Sequence, residues 1–331
     1  MSVPVLTVDG LSQHFPLEYG TLDRLQRRPR AVLQALDGVD LTVGRSETRR
    51  LVGESGCGKS TLARCIVGLY EPTAGQVLFG TEVLAARRTR LQRRHVQTVF
   101  QDPYSSLNPR MTVGQTLREL LKLHEMVARN RLDARCRELM HVVGLPEHAL
   151  ASYPRQFSGG QRQRIGIARA LSLEPQVLVA DEPVSALDVS VQANVLNLLS
   201  DLKRDLGLSM LFVAHNMAGV RQVCDRVAVM YFGRIVETGR TEDVFADPQH
   251  PYTWLLLASV PRMRPGHEPE ETVKGEPGFA GRHAAGLPLR LSLSARVRPL
   301  PDRGPRAGTG ADGQRAACHL AGRPVGSAVH G

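Results

Sequence analysis

A glycine-rich segment at residues 53–61 is the part of the sequence whose residue types and spacing most clearly point to chemistry. It reads glycine, four residues, a second glycine, and then lysine and serine. Glycines let consecutive backbone N–H groups turn towards an anion, and such groups bind phosphate at the start of a helix. The lysine adds a charge for the terminal phosphates of a nucleotide, and the serine hydroxyl is a ligand for Mg²⁺. We therefore predict a nucleotide-binding loop formed by Gly53, Glu54, Ser55, Gly56, Cys57, Gly58, Lys59, Ser60 and Thr61.

Two adjacent carboxylates, Asp181 and Glu182, follow the apolar run at 177–180. In an open α/β sheet, ligands bind at the carboxyl ends of the strands, which is where this pair would lie. Asp181 can hold the metal, and Glu182 can act as the general base for an attacking water. A strand ending in Asp-Glu is by itself more often a solvated loop, so this interpretation depends on the phosphate loop.

The order of apolar runs and helical patterns up to about residue 245 predicts an α/β domain with a largely parallel sheet. A helix is expected at 60–69, and residues 111–150 indicate a helical insertion. Its apolar stripe consists of Leu117, Leu120, Leu121 and Leu123. Beyond about Pro261 the periodicity disappears, which predicts a tail or linker. Short strands are predicted at 3–8, 38–43, 97–100, 177–180, 210–214 and 227–231.

Composition excludes several classes of protein. The net charge of +10 suggests an acidic partner, but residues 277–331 supply +6 of it, from eight Arg and two Asp, so no nucleic-acid surface is expected in the folded part. The five cysteines show no metal-ligand spacing, which favours a reduced, cytosolic chain without structural zinc. No signal peptide is expected, and the apolar run at 254–260 is too short to span a membrane. If the protein acts at a membrane, we therefore expect it to be held there by a partner protein.

The segment at 157–164, which reads FSGGQRQR, resembles the signature motif of ABC ATPases. The similarity is collinear over roughly residues 3–262 and comprises six ordered motifs. Each motif taken alone has another interpretation. Gln101 could be a polar residue at the end of a strand, His215 could be a hydrogen-bonded loop histidine, and the signature segment could be a flexible turn. The resemblance implies a Q-loop at Gln101, a D-loop at Ser185–Asp188, a switch histidine at His215, and adenine stacking on Phe15, near which His14 and Tyr19 also lie.

The family resemblance also implies a fold and an assembly. The expected fold is a P-loop ABC ATPase core, α/β with a mixed sheet flanked by helices, an inserted helical subdomain and an irregular C-terminal tail. The expected assembly is a head-to-tail dimer, with each ATP between the phosphate loop of one subunit and the signature segment of the other. That segment consists of Ser158, Gly159, Gly160 and Gln161, a second anion cradle at a helix start. Glu182, His215 and Gln101 are the expected catalytic residues, and Ser60, Gln101 and Asp181 the expected Mg²⁺ ligands.

Two further segments, 101–109 and His250-Pro-Tyr-Thr253, resemble the oligopeptide/dipeptide importers among the ABC proteins. This implies a second ATPase subunit, favoured as a paralogue, together with two permeases and an extracytoplasmic binding protein. The chain would then lie peripherally on the cytoplasmic face of the membrane. Related importers carry nickel, glutathione or other small solutes. The alternatives are a degenerate or non-hydrolysing ABC subunit and a non-transport ABC ATPase of DNA repair or translation.

The expected domains are an ATP-binding core at 1–102 and 171–245, a helical subdomain at 103–170, and an extension at 246–331 that is largely irregular after 276.

Two features depart from the family pattern. Arg49 and Arg50 occupy the strand before the phosphate loop, where relatives carry apolar or small residues. An unpaired buried cation costs several kcal/mol, which predicts that this copy is destabilised or poorly active, or that the sequence carries a local error. The tail lacks cysteine between residues 277 and 315, through a compensated reading-frame shift or through drift, so no metal cluster is assigned to it.

Overall fold

The computed structural model describes residues 3–16, 32–102, 106–214 and 224–259, together with the backbone of 308–309 and 315–316. His215 and the predicted irregular tail therefore lie outside the described residues, apart from those two short backbone pieces. No helix within the described ranges is long and apolar enough to cross a bilayer.

The elements in chain order are β1 Leu6–Pro16, β2 Val32–Val43, β3 Thr48–Val52, α1 Lys59–Val67, β4 Ala74–Phe79, β5 Glu82–Val83, α2 Arg90–His95, β6 Val96–Val99, α3 Val113–Leu123, α4 Leu132–Val142, α5 Gly159–Leu171, β7 Val177–Asp181, α6 Val189–Leu206, β8 Ser209–Ala214, β9 Arg226–Tyr231, β10 Arg234–Arg240, α7 Thr241–Ala246, α8 Pro251–Ala258, β11 Gly308–Thr309 and β12 Arg315–Ala316.

The central sheet is mixed, as predicted, with the strand order β11-β12-β10-β9-β3-β8-β7-β6. Strands β9, β3, β8, β7 and β6 are mutually parallel, and β10 pairs antiparallel with β9. Every residue of β3 and of β7 is buried, as expected for parallel strands covered on both faces. Since β3 and β7 both neighbour β8 and run in the same direction, the segments that follow them emerge at the same edge of the sheet.

A second sheet, which the sequence analysis did not anticipate, is antiparallel with the order β2-β1-β4-β5. The predicted early strands at 3–8 and 38–43 belong to this sheet and are longer than expected. Buried and exposed residues alternate along much of both strands, which is typical of antiparallel strands with one solvated face. The sheet brings the end of β1, and with it Phe15, towards the region that follows α1.

The predicted helical insertion consists of α3, α4 and the start of α5 with short 3₁₀ turns between them. Helix α3 begins with a capping box between Thr112 and Gln115. Leu117 and Leu121, four residues apart, are fully buried. The prediction that Leu123 shares their stripe is wrong, because a residue two positions further along a helix points to a different side, and Leu123 is exposed.

The two arginines of β3 are both buried, and they face opposite sides of the sheet as predicted. Arg49 lies in register with Leu211, and Arg50 with Phe212. The premise of an unpaired cation is wrong: Arg49 Nε donates to Glu47 Oε1 at 2.9 Å, and Arg50 is not without a partner either. Arg50 has no exposed surface, and burial lowers its pKa to about 10. The guanidinium is charged at neutral pH in the folded and the unfolded chain, so its desolvation cost is present in full and lessens only as the pH rises through about 10.

We expect Arg50→Leu to raise the melting temperature of the full-length chain by a few degrees. The lowered pKa of Arg50 corresponds to a desolvation cost on the order of 3 kcal/mol, which an apolar side chain avoids. Arg49→Leu is the matched control, because it leaves the carboxylate of Glu47 without its ion-pair partner and is expected to leave the melting temperature unchanged or lower it. Thermal denaturation followed by circular dichroism measures both. A lower melting temperature for Arg50→Leu would contradict the cost assigned to its burial.

Candidate nucleotide site

The phosphate loop has the predicted strand–loop–helix context, since β3 ends at Val52 and α1 begins at Lys59. Two glycines are required by close backbone packing. A Cβ on Gly53 would clash with the carbonyl oxygen of Met230 in β9, and one on Gly58 would clash with that of Ala35 in β2. Gly58 also has φ +110, a left-handed conformation that favours glycine. The loop is therefore pressed against two strands, and its backbone must turn within a narrow space at the start of α1.

Lys59 is buried and its side chain folds back over the loop. Its Nζ donates to the carbonyl oxygens of Gly53 and Glu54, each at 2.7 Å. The same ammonium lies 3.7 Å from the Sγ of Cys57, and burial is the main cause that raises the pKa of that thiol. The positive charge is thus held inside the loop by neutral acceptors, which it can exchange for phosphate oxygens.

Ser60 and Asp181 converge on one point, because α1 follows β3 and Asp181 ends β7 at the same edge of the sheet. Ser60 Oγ donates to Asp181 Oδ1 at 3.2 Å. Asp181 is only 8% exposed, and desolvation raises its pKa, partly offset by the hydrogen bond from Ser60. A hydroxyl and a buried carboxylate, both hard oxygen ligands, suit Mg²⁺, and a divalent cation would offset the cost of the buried negative charge. The residues present therefore fit the metal.

Glu182 meets Gln101 across the adjacent parallel strands β6 and β7. The Nε2 of Gln101 donates to Glu182 Oε2 at 3.0 Å. The backbone of Glu182 has φ +45, and its N–H donates to the carbonyl of Val213 at 3.1 Å, while Ser185 Oγ donates to its carbonyl. A non-glycine residue in this conformation is strained, and such residues concentrate at functional sites. The structure thus brings together Gln101 and Glu182, two of the residues that the family resemblance implies are catalytic.

The segment 158–161 begins helix α5. Ser158 is the N-cap, its Oγ accepts from the N–H of Gln161, and the Gln161 side chain accepts from the N–H of Ser158. Both of these residues are exposed, whereas Gly160 is buried so closely on Val191 of α6 that a Cβ would clash. The capping box thus fixes the start of the helix with two exposed side chains, at the end of a helix where backbone N–H groups can bind an anion.

Phe15 lies near the end of β1, is half-buried, and packs edge-to-face on Tyr70 with ring centroids 5.5 Å apart. Tyr70 follows α1, and its hydroxyl accepts a hydrogen bond from Arg64. An aromatic pair beside the helix that begins at the phosphate loop fits the adenine-stacking prediction, which the structure does not test further.

Tyr252 contacts the phosphate loop and was missed as a site residue by the sequence analysis. Its hydroxyl accepts a hydrogen bond from the backbone N–H of Glu54 at 2.9 Å. The sequence marked the segment His250-Pro-Tyr-Thr253 only as a resemblance. No local pattern links residues that are 198 positions apart.

These features define a P-loop nucleotide-binding α/β protein. The chain belongs to the ABC transporter family of ATPases. The family model described as "ABC transporter" matches residues 36–185. The family model described as "Oligopeptide/dipeptide transporter, C-terminal region" matches residues 236–286. The chain is 48% identical over 273 residues to a putative peptide import ATP-binding protein of Brucella ovis, covering 82% of this chain and 83% of that protein. It is 44% identical over 273 residues to the oligopeptide transport ATP-binding protein OppF of Bacillus subtilis, covering 81% and 86%.

Solved structures agree with this family. CbiO1 from Clostridium perfringens, part of the ABC transporter complex cbiONQ, matches with a TM-score of 0.62 and 27% identity over 74% of this chain and 92% of that one. A dimeric ATP-binding cassette in a post-hydrolysis state, bound to ADP and Pi, matches with a TM-score of 0.61 and 25% identity over 71% and 98%. The fold and the class of enzyme, an ATPase, are therefore established for this chain.

Proposed function

We propose that the chain is the ATP-hydrolysing subunit that energises an importer of oligopeptides, dipeptides or a related small solute. The observation that carries this proposal is the convergence of Ser60 with Asp181 and of Gln101 with Glu182 beside a phosphate loop. The peptide-import names of the relatives supply the class of solute.

The proposed mechanism begins with ATP in the phosphate loop. Backbone N–H groups of residues 55–61 surround the phosphates, and the ammonium of Lys59 leaves the carbonyls of Gly53 and Glu54 for the terminal phosphates. Ser60, Asp181 and Gln101 would hold Mg²⁺, which when bound neutralises charge on the phosphate oxygens. Gln101 would offer the metal its side-chain carbonyl oxygen, whereas its Nε2 is the atom that donates to Glu182.

Glu182 is the proposed general base. Its carboxylate accepts a proton from the water that attacks the γ-phosphorus, and the terminal phosphate leaves ADP. The hydrogen bond from Gln101 and the fixed backbone position hold the carboxylate before substrate arrives. His215 is proposed to contact the γ-phosphate, and Phe15 to stack on the adenine.

The proposed working unit is a head-to-tail dimer with a second ABC ATPase subunit, favoured as a paralogue. The start of α5, with Ser158, Gly159, Gly160 and Gln161, would close over the γ-phosphate held by the partner, so ATP would join the subunits and hydrolysis would release them. The dimeric cassette bound to ADP and Pi is a precedent for such pairing in a structural relative.

The remaining partners are proposed to be two permeases and an extracytoplasmic binding protein, with this chain peripheral on the cytoplasmic face of the membrane. The core at 1–102 and 171–245 would hold ATP, and the helical subdomain at 103–170 would receive the permeases. The C-terminal extension would begin at residue 246. Helices α3 and α4 pack on α5 through an apolar cluster that includes Leu117, Cys136 and Ile165, and the same cluster continues into β7 and β8 of the core.

Co-purification with the two permeases tests this proposal. We expect the full-length chain to co-purify with them and its ATP hydrolysis to rise when a peptide-loaded binding protein is added. The matched control is the same preparation with the binding protein free of peptide. Failure to co-purify, or a rate that does not respond to the loaded binding protein, would reject the importer assignment while leaving the ATPase class intact.

Asp181→Asn is expected to raise the Mg²⁺ concentration that gives half-maximal ATP hydrolysis by about 10-fold or more, because an amide oxygen replaces a charged metal ligand. Asp201→Asn, a change on the exposed face of α6, is the control and should leave the Mg²⁺ dependence unaltered. Hydrolysis is measured against total Mg²⁺ at saturating ATP. An unchanged Mg²⁺ dependence in Asp181→Asn would remove this residue from the metal site.

A further inference from the structure

Helix α8 places a buried tyrosine hydroxyl directly against the phosphate loop. Tyr252 is 2% exposed and belongs to an apolar cluster with Val52 of β3 and Val229 of β9. Its hydroxyl accepts the N–H of Glu54 at 2.9 Å. Because Val52 immediately precedes Gly53, the same helix covers the end of the strand and contacts the first peptide group of the loop.

That peptide group, between Gly53 and Glu54, is held at both ends. Its N–H donates to Tyr252, and its carbonyl accepts from Lys59 Nζ at 2.7 Å. In the proposed mechanism the ammonium of Lys59 leaves this carbonyl for the phosphates. The hydrogen bond to Tyr252 then continues to fix the orientation of this peptide plane.

The position of Tyr252 is itself set by the segment before it. The carboxylate of Glu237, 1% exposed on β10, accepts the N–H groups of Gln249 and His250 at 2.8 and 2.9 Å. His250 Nδ1 then accepts the N–H of Tyr252 at 3.1 Å and caps α8. The ring of Tyr252 packs on that of Tyr231 with centroids 4.3 Å apart. Such a chain of contacts leaves the hydroxyl little freedom to move.

We infer that Tyr252 is a positioning residue of the phosphate loop, and that it makes the C-terminal segment 249–258 part of the nucleotide site. Its hydroxyl holds the Gly53–Glu54 peptide in the orientation from which the loop receives phosphate, so that binding of ATP requires less ordering of the backbone. Burial raises the pKa of Tyr252, which keeps the hydroxyl neutral over the working pH range. The inference depends on the proposed binding of ATP by this loop.

Tyr252→Phe removes the hydroxyl alone and tests the inference. We expect the Kd for ATP, and with it KM, to rise about 3- to 10-fold, the effect of one neutral hydrogen bond, while kcat changes less than about twofold. Thr253→Val is the matched control. It removes a fully buried hydroxyl from the next residue of the same helix, and that hydroxyl has no hydrogen-bond partner among the described residues. The control should leave the Kd for ATP unchanged.

Amide exchange of the full-length chain gives a second readout, and its measurement on the wild type does not require any variant to fold. The amide of Glu54 is expected to exchange slowly, and at least about 10-fold faster in Tyr252→Phe than in Thr253→Val. Rapid exchange of this amide in the wild type, or equal Kd values in the two variants, would overturn the inference. Absence of ATP binding by the wild-type chain would instead reject the proposed function on which the inference depends.

Discussion

Replacing Glu182 with glutamine is expected to reduce the release of phosphate from ATP bound to this chain by about 100-fold or more. The amide keeps the shape of the side chain but cannot accept the proton of the attacking water. Binding does not use that proton transfer, so the Kd for ATP should stay within about twofold. Single-turnover phosphate release from the full-length chain, with labelled ATP, separates the chemical step from binding.

Glu119→Gln is the control for this prediction. Glu119 lies exposed on α3, and the same chemical change there should leave both the rate and the Kd unaltered. A Glu182→Gln chain that releases phosphate at the wild-type rate would show that another group takes the proton. The contact between Gln101 and Glu182 would then hold the loop after β7 without a chemical role.

Lys59→Ala is expected to weaken ATP binding about 100-fold, because it removes the buried ammonium that we propose contacts the terminal phosphates. The same substitution also removes the donor that holds the carbonyls of Gly53 and Glu54. The loss of the charge and the loss of these hydrogen bonds both lower the affinity for ATP. Equilibrium titration with a fluorescent ATP analogue measures the change.

Lys122→Ala, an exposed residue of α3, is the matched control and should bind the analogue as the wild type does. Thermal denaturation of both variants without nucleotide separates a folding defect from a binding defect. A Lys59→Ala chain that folds and binds with wild-type affinity would contradict the assignment of residues 53–61 as the phosphate site.

The parts of the site that could be predicted are those whose geometry follows from local spacing or from strand direction. The phosphate loop depends on a few consecutive residues, and its strand and helix were recognisable beside it. The meeting of Ser60 with Asp181 follows because parallel strands end at one edge of the sheet. The contact of Gln101 with Glu182 has the same origin.

The ion pair of Arg49 could also have been predicted but was not. Glu47 lies two residues earlier in extended backbone, which places both side chains on one face of the strand. The carboxylate of Glu47 beside the two arginines was overlooked. The premise of an unpaired cation therefore fails, and what remains of the expected destabilisation is the desolvation of Arg50 by burial.

The contact of Tyr252 with Glu54 could not have been predicted, because it depends on how the C-terminal segment packs against β9 and β3. Periodicity indicates which face of a helix is buried, but it does not say which strand that face covers. The second, antiparallel sheet was missed for a related reason. Alternating apolar residues predict strands, but they do not state which strands pair.

Uptake of a labelled oligopeptide into vesicles that hold this chain with its partner subunits tests the central claim most directly. With wild-type chain, uptake should require both ATP and Mg²⁺. With Glu182→Gln, uptake should fall at least about 10-fold although ATP still binds. Uptake at the wild-type rate with Glu182→Gln would contradict the claim that hydrolysis at this site drives import.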